Sequence, residues 1–135
     1  MDGRLALTVV TPERALLSGV LCDEVTLPAW LGEIGVLPGH TPLIALLGIG
    51  VVGYRDGGRR TTLAVRGGFV EIAGDEVRIL ADEAAAPESV DGAKASADKA
   101  DAENRRAHAA GDEELDAANA DARFAEARLA VSRPA

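Results

Sequence analysis

A chain of 135 residues has room for one domain, or for one domain with an appendage. Apolar residues make up 47% but aromatics only 3%, so the core must be built from Val, Leu and Ile, which concentrate in the first part of the chain. The formal net charge of -8, with no cluster of Lys and Arg to displace counterions from phosphate, argues against a nucleic-acid partner.

Met1-Asp2-Gly3-Arg4 leads straight into a strand-like pattern, so neither a signal nor a transit peptide is expected. Leu5, Leu7 and Val9 alternate with smaller or polar residues until Thr11-Pro12-Glu13 breaks the run. Ala15 to Val20 and Val25 to Leu27 read as two further short strands, with Cys22 as a small buried strand residue. One cysteine excludes an internal disulfide framework and, with only His40 and His108 to help it, argues against a metal site.

From Leu27 to Gly50 the chain sets Pro28, Gly32, Gly35, Pro38, Gly39, Pro42, Gly48 and Gly50 among strand-forming aliphatics, which no helix survives. Leu37-Pro38-Gly39-His40-Thr41-Pro42 holds His40 on a rigid turn and suggests a docking surface. Ile34, Val36 and Leu37 continue the series of strands, followed by Leu43 to Leu47 and Gly50 to Tyr54. Asp56-Gly57-Gly58 is a hairpin turn, Thr61 to Val65 returns, Gly67-Gly68 precedes Phe69 to Ile72, and Gly74-Asp75 turns into Val77 to Leu80. The expected fold of residues 1–84 is a flattened antiparallel β-sandwich of about ten short strands.

Composition changes sharply beyond this point. Residues 85–135 have almost no β-branched side chains and are dense in Ala, Asp, Glu, Arg and Lys, which predicts an antiparallel two-helix hairpin. Val90, Ala93, Ala97, Ala100, Asn104 and Ala107 offer one apolar seam at helical spacing, and Leu115, Ala118, Ala122, Ala125 and Leu129 offer the other. Gly111 is expected to end the first helix and Asp112 to cap the second, with Glu113 and Glu114 favoured by the positive helix N-terminus. Alanine methyls contribute roughly 0.8 kcal/mol per buried carbon, so the hairpin sits near the margin set by chain entropy and opens at low cost. No segment approaches the ~20 apolar residues of a membrane span.

Gly48-Ile49-Gly50-Val51-Val52-Gly53 matches GxGxxG, but a strand and a hairpin follow it where a dinucleotide site needs a helix N-terminus. Gly57-Gly58-Arg59-Arg60-Thr61-Thr62 lacks the GK[ST] ending of a P-loop and reads as a hairpin with a basic end. His40 has no evident Ser or Cys nucleophile beside it, and a small enzyme using His40 stands as a remote third reading. Glu33, between two glycines, is expected in solvent or at an interface. Arg105, Arg106, Arg123, Arg128 and Arg133 read as solvated faces unless an acidic partner meets them. No catalytic constellation is present.

Gly32-Glu33-Ile34-Gly35-Val36-Leu37-Pro38-Gly39-His40-Thr41-Pro42-Leu43, Leu47-Gly48-Ile49-Gly50, Arg66-Gly67-Gly68-Phe69-Val70-Glu71 and Val77-Arg78-Ile79-Leu80-Ala81-Asp82 together resemble the epsilon subunit of bacterial F-type ATP synthase. The resemblance covers essentially the whole chain. It implies a non-catalytic central-stalk subunit whose sandwich grips the gamma subunit and sits on the polar loops of the c-ring, coupling rotation to the catalytic head. Glu33 would then face the c-ring loops and His40 would lie in the contact region with gamma. The helical tail of the family inhibits ATP hydrolysis by extending into the alpha and beta subunits, which nominates Arg123 and Arg128 for an acidic loop of the head. The implied location is the cytoplasmic side of the bacterial plasma membrane, peripheral and without direct membrane insertion.

Some family members also bind ATP on the folded tail, through Ile or Leu, then Asp, two intervening residues and Arg-Ala, with a distant arginine. Here Asp91 and Arg128 fit, but Val90 takes the aliphatic place and Lys94 stands where the pattern has arginine; an ammonium does not replace a guanidinium fork on phosphate. An ATP-sensing module on the same scaffold is therefore the alternative reading. No other cofactor is expected.

Overall fold

The computed structural model describes residues 3–132, which leaves Met1, Asp2, Arg133, Pro134 and Ala135 outside the described residues. Eight strands come first: β1 (Leu5–Val10), β2 (Ala15–Cys22), β3 (Glu24–Ala29), β4 (Gly32–Val36), β5 (Leu43–Leu46), β6 (Ile49–Asp56), β7 (Arg59–Ala73) and β8 (Glu76–Ala85). A 3-10 turn at Pro87–Ser89 leads to α1 (Gly92–Ala107) and α2 (Asp112–Ser132). The strands join in the order β2-β1-β8-β7-β6-β3-β4, with β5 also on β7, and close over one core as a sandwich. Alternation decides which side chains enter it: Leu5, Leu7 and Val9 of β1 and Val77, Ile79 and Ala81 of β8 are buried while their neighbours face out.

The strand count is lower than expected because two predicted strands are one. Thr61–Val65 and Phe69–Ile72 belong to the 15-residue β7, whose pairing with β8 keeps one register from Ala64 opposite Ala85 to Ala73 opposite Glu76. Gly67 and Gly68 bend that strand at φ 68° and 107° without reversing it. Facing the bend, β5 and β6 share one register on β7 and are parted at Leu47-Gly48, where Leu47 N–H donates to Gly68 O at 2.9 Å and Gly67 N–H donates to Gly48 O at 3.2 Å.

The glycines that mimic a dinucleotide motif have a packing cause. The end of β3 runs into the break, and Gly48 N–H donates to Pro28 O at 2.7 Å. A Cβ on Gly48 would lie 3.1 Å from Ala29 O, one on Gly50 3.2 Å from Pro28 Cβ, and one on Gly53 2.4 Å from the Arg60 guanidinium. Gly48 and Gly50 are small because a neighbouring strand lies against their backbone, whereas the Arg60 guanidinium at Gly53 is the free end of a side chain and can move aside.

The sheet is not wholly antiparallel. β1 and β8 run parallel, with Leu7 beside Val77 and Val9 beside Ile79. A parallel pair cannot be joined by a tight turn, and here the rest of the sandwich forms the connection, so no local signal announces it.

In the tail the α2 seam is as expected, with Ala118, Ala122 and Ala125 buried and Leu115 and Leu129 half-buried. The α1 seam is not. Ala93, Ala97, Ala100, Asn104 and Ala107 are exposed, and Ala95 and Ala102 are the buried pair. Alanine recurs so often in α1 that several faces have helical spacing; charges that reach α2 select among them. Arg128 donates to Asp98 at 3.0 Å, Arg105 donates to Asp121 at 2.8 Å, and Lys99 pairs with Glu126 at 3.6 Å.

The caps also shift. α1 ends at Ala107 with His108 as its cap, and Gly111 precedes α2, its carbonyl accepting Leu115 N–H at 3.0 Å. Asp112 is already the first residue of α2, and Glu114 reaches back to accept Ala110 N–H at 3.0 Å, tying the residue before Gly111 to the first turn of the helix.

A second buried face of α2, carrying Phe124, Ala127 and Val131, packs on Ala64 of β7 beside Ile49, Val51, Ala85 and Val90. Val90 therefore serves the contact with the sandwich instead of the helical seam. Two guanidiniums lie over the Phe124 ring, with Arg66 Cζ 5.9 Å and Arg128 Cζ 5.1 Å from its centroid.

Candidate functional site

Two regions gather the chemically distinctive side chains. The first is the outer face of the sandwich at β5, β7 and β8. Cross-strand pairing sets Leu46 opposite Phe69 and Phe69 opposite Leu80, and the backbone of Trp30 reaches the end of this row, its main-chain N–H donating to Leu46 O at 2.9 Å. All four side chains are exposed, Trp30 at 70% and Phe69 at 54%. Leu31 (93%), at the tip of the β3–β4 hairpin, and Ile44 (73%), in the neighbouring row, extend the patch. Phe69 is one of only two phenylalanines and Trp30 the single tryptophan, so scarce large side chains are held in water. A contiguous exposed apolar row of this kind is characteristic of surfaces that bind a protein, a membrane or a ligand.

Glu33 lies on β4 and His40 in the turn that follows it. Glu33 is exposed on β4, paired with Pro28 across the hairpin. His40 closes a type II turn in which Pro38 sets φ, Gly39 takes φ 84°, and His40 N–H donates to Leu37 O at 3.1 Å. Its ring Nδ1 lies 2.6 Å from Thr41 O, so Nδ1 carries the hydrogen and donates to that carbonyl. Asp75, at the β7–β8 turn, accepts Gly39 N–H at 2.7 Å and ties the turn to the sandwich. A Cβ at Gly39 would meet nothing within 4 Å, so the backbone angle alone sets its cost. Gly39→Ala is expected to lower unfolding stability by about 1 kcal/mol, read by urea denaturation.

The second region is an open cleft of about 390 Å³ where both helices meet β7 and β8, lined by Arg66, Lys94, Arg105 and Arg128 against Glu83, Asp98, Asp101 and Asp121, with Phe124. Asp98 accepts from Arg128 at 3.0 Å and from Lys94 at 3.3 Å; Asp121 accepts from Arg66 at 2.7 Å and from Arg105 at 2.8 Å. The Arg128 hydrogen bond, opposed by partial burial and helped by Lys94, holds the Asp98 carboxyl below its ordinary range. Burial pushes Asp121 up, but the Arg66 and Arg105 hydrogen bonds outweigh it and leave that carboxyl lowered as well. Both pairings are therefore fully present above the ordinary carboxylate pKa of about 3.9 and are lost as pH falls through the lower folded-state values.

Of the residues considered for ATP, Lys94 and Arg128 meet in this cleft, both on Asp98. Asp91 is elsewhere: its carboxylate caps α1 by accepting Lys94 N–H at 3.1 Å. Every cation of the cleft already faces a carboxylate, so the residues present do not fit a triphosphate. Arg128 is turned inward, whereas Arg123 is exposed on α2 and lines a shallow groove with Lys99 and Glu126.

Residues 4–87 match the family of the ATP synthase, Delta/Epsilon chain, beta-sandwich domain. The ATP synthase epsilon chain of Solibacter usitatus is 47% identical over 97 residues, spanning 72% of this chain and 72% of that one. The chain belongs to the ATP synthase epsilon family. The epsilon chain of Symbiobacterium thermophilum is 41% identical over 101 residues, covering 75% and 73% of the two chains. Among solved structures, a chain of the Euglena gracilis mitochondrial ATP synthase superposes with a TM-score of 0.82 over 96% of this chain and 82% of its own, at 21% identity, which establishes a shared fold including the hairpin. This epsilon chain is thus a non-catalytic central-stalk subunit that couples rotation to the catalytic head. Among its described residues no helix is long and apolar enough to cross a membrane.

Sequence reasoning nominated Glu33 and His40 and did not nominate the apolar row. Leu46, Phe69 and Leu80 each look like ordinary strand aliphatics or aromatics, and only the β5–β7–β8 register puts them side by side on the outside.

Proposed function

We propose that this epsilon chain docks on the gamma subunit through the outer row of Trp30, Leu46, Phe69 and Leu80, with His40 at its margin, and that Glu33 faces the polar loops of the c-ring. The helical hairpin is the regulatory element: it rests on the sandwich and, when extended, reaches the alpha and beta subunits and restrains ATP hydrolysis. Arg123 is available for an acidic loop of the head in either state, and Arg128 becomes available once it leaves Asp98. The subunit works as a peripheral component on the cytoplasmic side of a bacterial plasma membrane.

The observation that carries this reading is the division of the surface. One face of the sandwich presents large apolar side chains, while the hairpin covers a separate site centred on Ala64 with Phe124, Ala127 and Val131. The hairpin can leave its site without disturbing the docking face. Removal of residues 86–135 is expected to leave rotary ATP synthesis coupled and to raise ATP hydrolysis by the assembled complex. Unchanged hydrolysis would remove the inhibitory role. ATP sensing is the weaker reading, because Asp98 and Asp121 occupy the cations a triphosphate needs.

A further inference from the structure

The hairpin meets the sandwich through an apolar patch and one polar link. Among the described residues, Arg66 to Asp121 is the single side-chain hydrogen bond between the two. The same carboxylate serves a third element. Its Oδ1 accepts from Arg66 Nη1 of β7 at 2.7 Å and its Oδ2 accepts from Arg105 Nη2 of α1 at 2.8 Å, while Asp121 itself stands on α2. Asp98 and Arg128, by contrast, join only α1 to α2.

We propose that Asp121 is a latch that makes closure of α1 onto α2 and docking of α2 onto the sandwich one cooperative step. The reason is electrostatic. Two guanidiniums from different elements approach one another because an anion sits between them; their remaining partners are Glu83, 3.7 Å from Arg66, and Asp101, 2.9 Å from Arg105. With Asp121 in place, β7 and α1 attract through α2. Without its charge, Arg66 and Arg105 keep only Glu83 and Asp101 on their own elements, and the attraction that joins α1 to the sandwich through α2 is lost. A carboxylate shared in this way gives a coupling larger than either bond alone, since loss of one arginine leaves a partly desolvated anion with half its partners. Arg66 also lies over Phe124, so the latch and the apolar patch release together.

This inference rests on the reading of the hairpin as movable, and its test separates the two. Amide hydrogen exchange on the isolated full chain at neutral pH reads opening directly, whatever the hairpin does to ATP hydrolysis. In the wild type the most protected amides of α1 and α2 are expected to share one opening constant, larger than that of the sandwich core. In Asp121→Asn, α1 is expected to open about tenfold more often, the scale of one charge-assisted hydrogen bond, and to separate from α2 while sandwich protection is unchanged. Asp101→Asn, which removes only a pair within α1, leaves the two helices equal. In the double variant with Arg66→Gln, the effect is smaller than the product of the two single effects. Separate constants for α1 and α2 in the wild type would overturn the proposal. So would an Asp121→Asn variant that still exchanges as the wild type does, or single effects that multiply independently.

Discussion

Gly68→Ala is expected to destabilise this subunit by about 3 kcal/mol or more, a large share of the roughly 5–15 kcal/mol that holds a domain of this kind together. Gly68 has φ 107°, a backbone conformation that side chains rarely adopt. A Cβ there would lie 1.9 Å from the carbonyl oxygen of Leu80 and 2.9 Å from its carbonyl carbon, both backbone atoms of the paired strand. Relief requires β7 and β8 to separate where Gly68 faces Ala81, at the centre of the sandwich. The neighbouring Gly67 sets the contrast. Its Cβ would meet the Asp82 carboxylate at 2.6 Å, and that group can rotate away. Gly67→Ala is therefore expected to cost about 1–2 kcal/mol, from backbone strain alone. Urea unfolding curves of the two variants test the argument, and equal midpoints would refute it.

The second large effect concerns assembly. Phe69→Asp places a charge in the middle of the apolar row, between Leu46 and Leu80, without touching the core, because Phe69 is already more than half exposed. Folding is expected to persist while affinity for gamma falls by roughly 2–4 kcal/mol, the range of a central interface anchor. Leu21→Asp is the matched control. It is similarly exposed on the outer face but lies opposite Ala6, which pairs with Glu76 two rows from the Phe69 row, with Glu71 and Arg78 between. Pull-down with gamma, quantified by titration, reads both variants. An equal loss for Leu21→Asp would show that added negative charge, and not this row, is responsible.

The two regions differ in how visible they were beforehand. The turn that carries His40 was legible because Pro38 and Gly39 impose their φ angles by covalent structure, whatever surrounds them. The apolar row was not, because exposure is a property of what packs against a residue. Val70 and Phe69 are adjacent and both apolar, yet one is fully buried and the other faces solvent. The latch was equally hidden: Asp121 is one of many acidic residues in the tail, and only the fold brings Arg66 from β7 and Arg105 from α1 to its two oxygens.

The sequence by itself determined the division into a β-sandwich and a helical hairpin, the main turns and the face of α2 that meets α1, since these follow from local backbone preferences and a single hydrophobic period. Tertiary structure decided the rest. It joined two predicted strands into β7, because continuous pairing with β8 outweighs the turn tendency of Gly67-Gly68. It paired β1 with β8 in parallel and selected Ala95 and Ala102 of α1 from many equivalent alanines through the ion pairs beside them. In each case the deciding energy lies in contacts between residues distant in the chain, and those contacts exist only once the sandwich has closed.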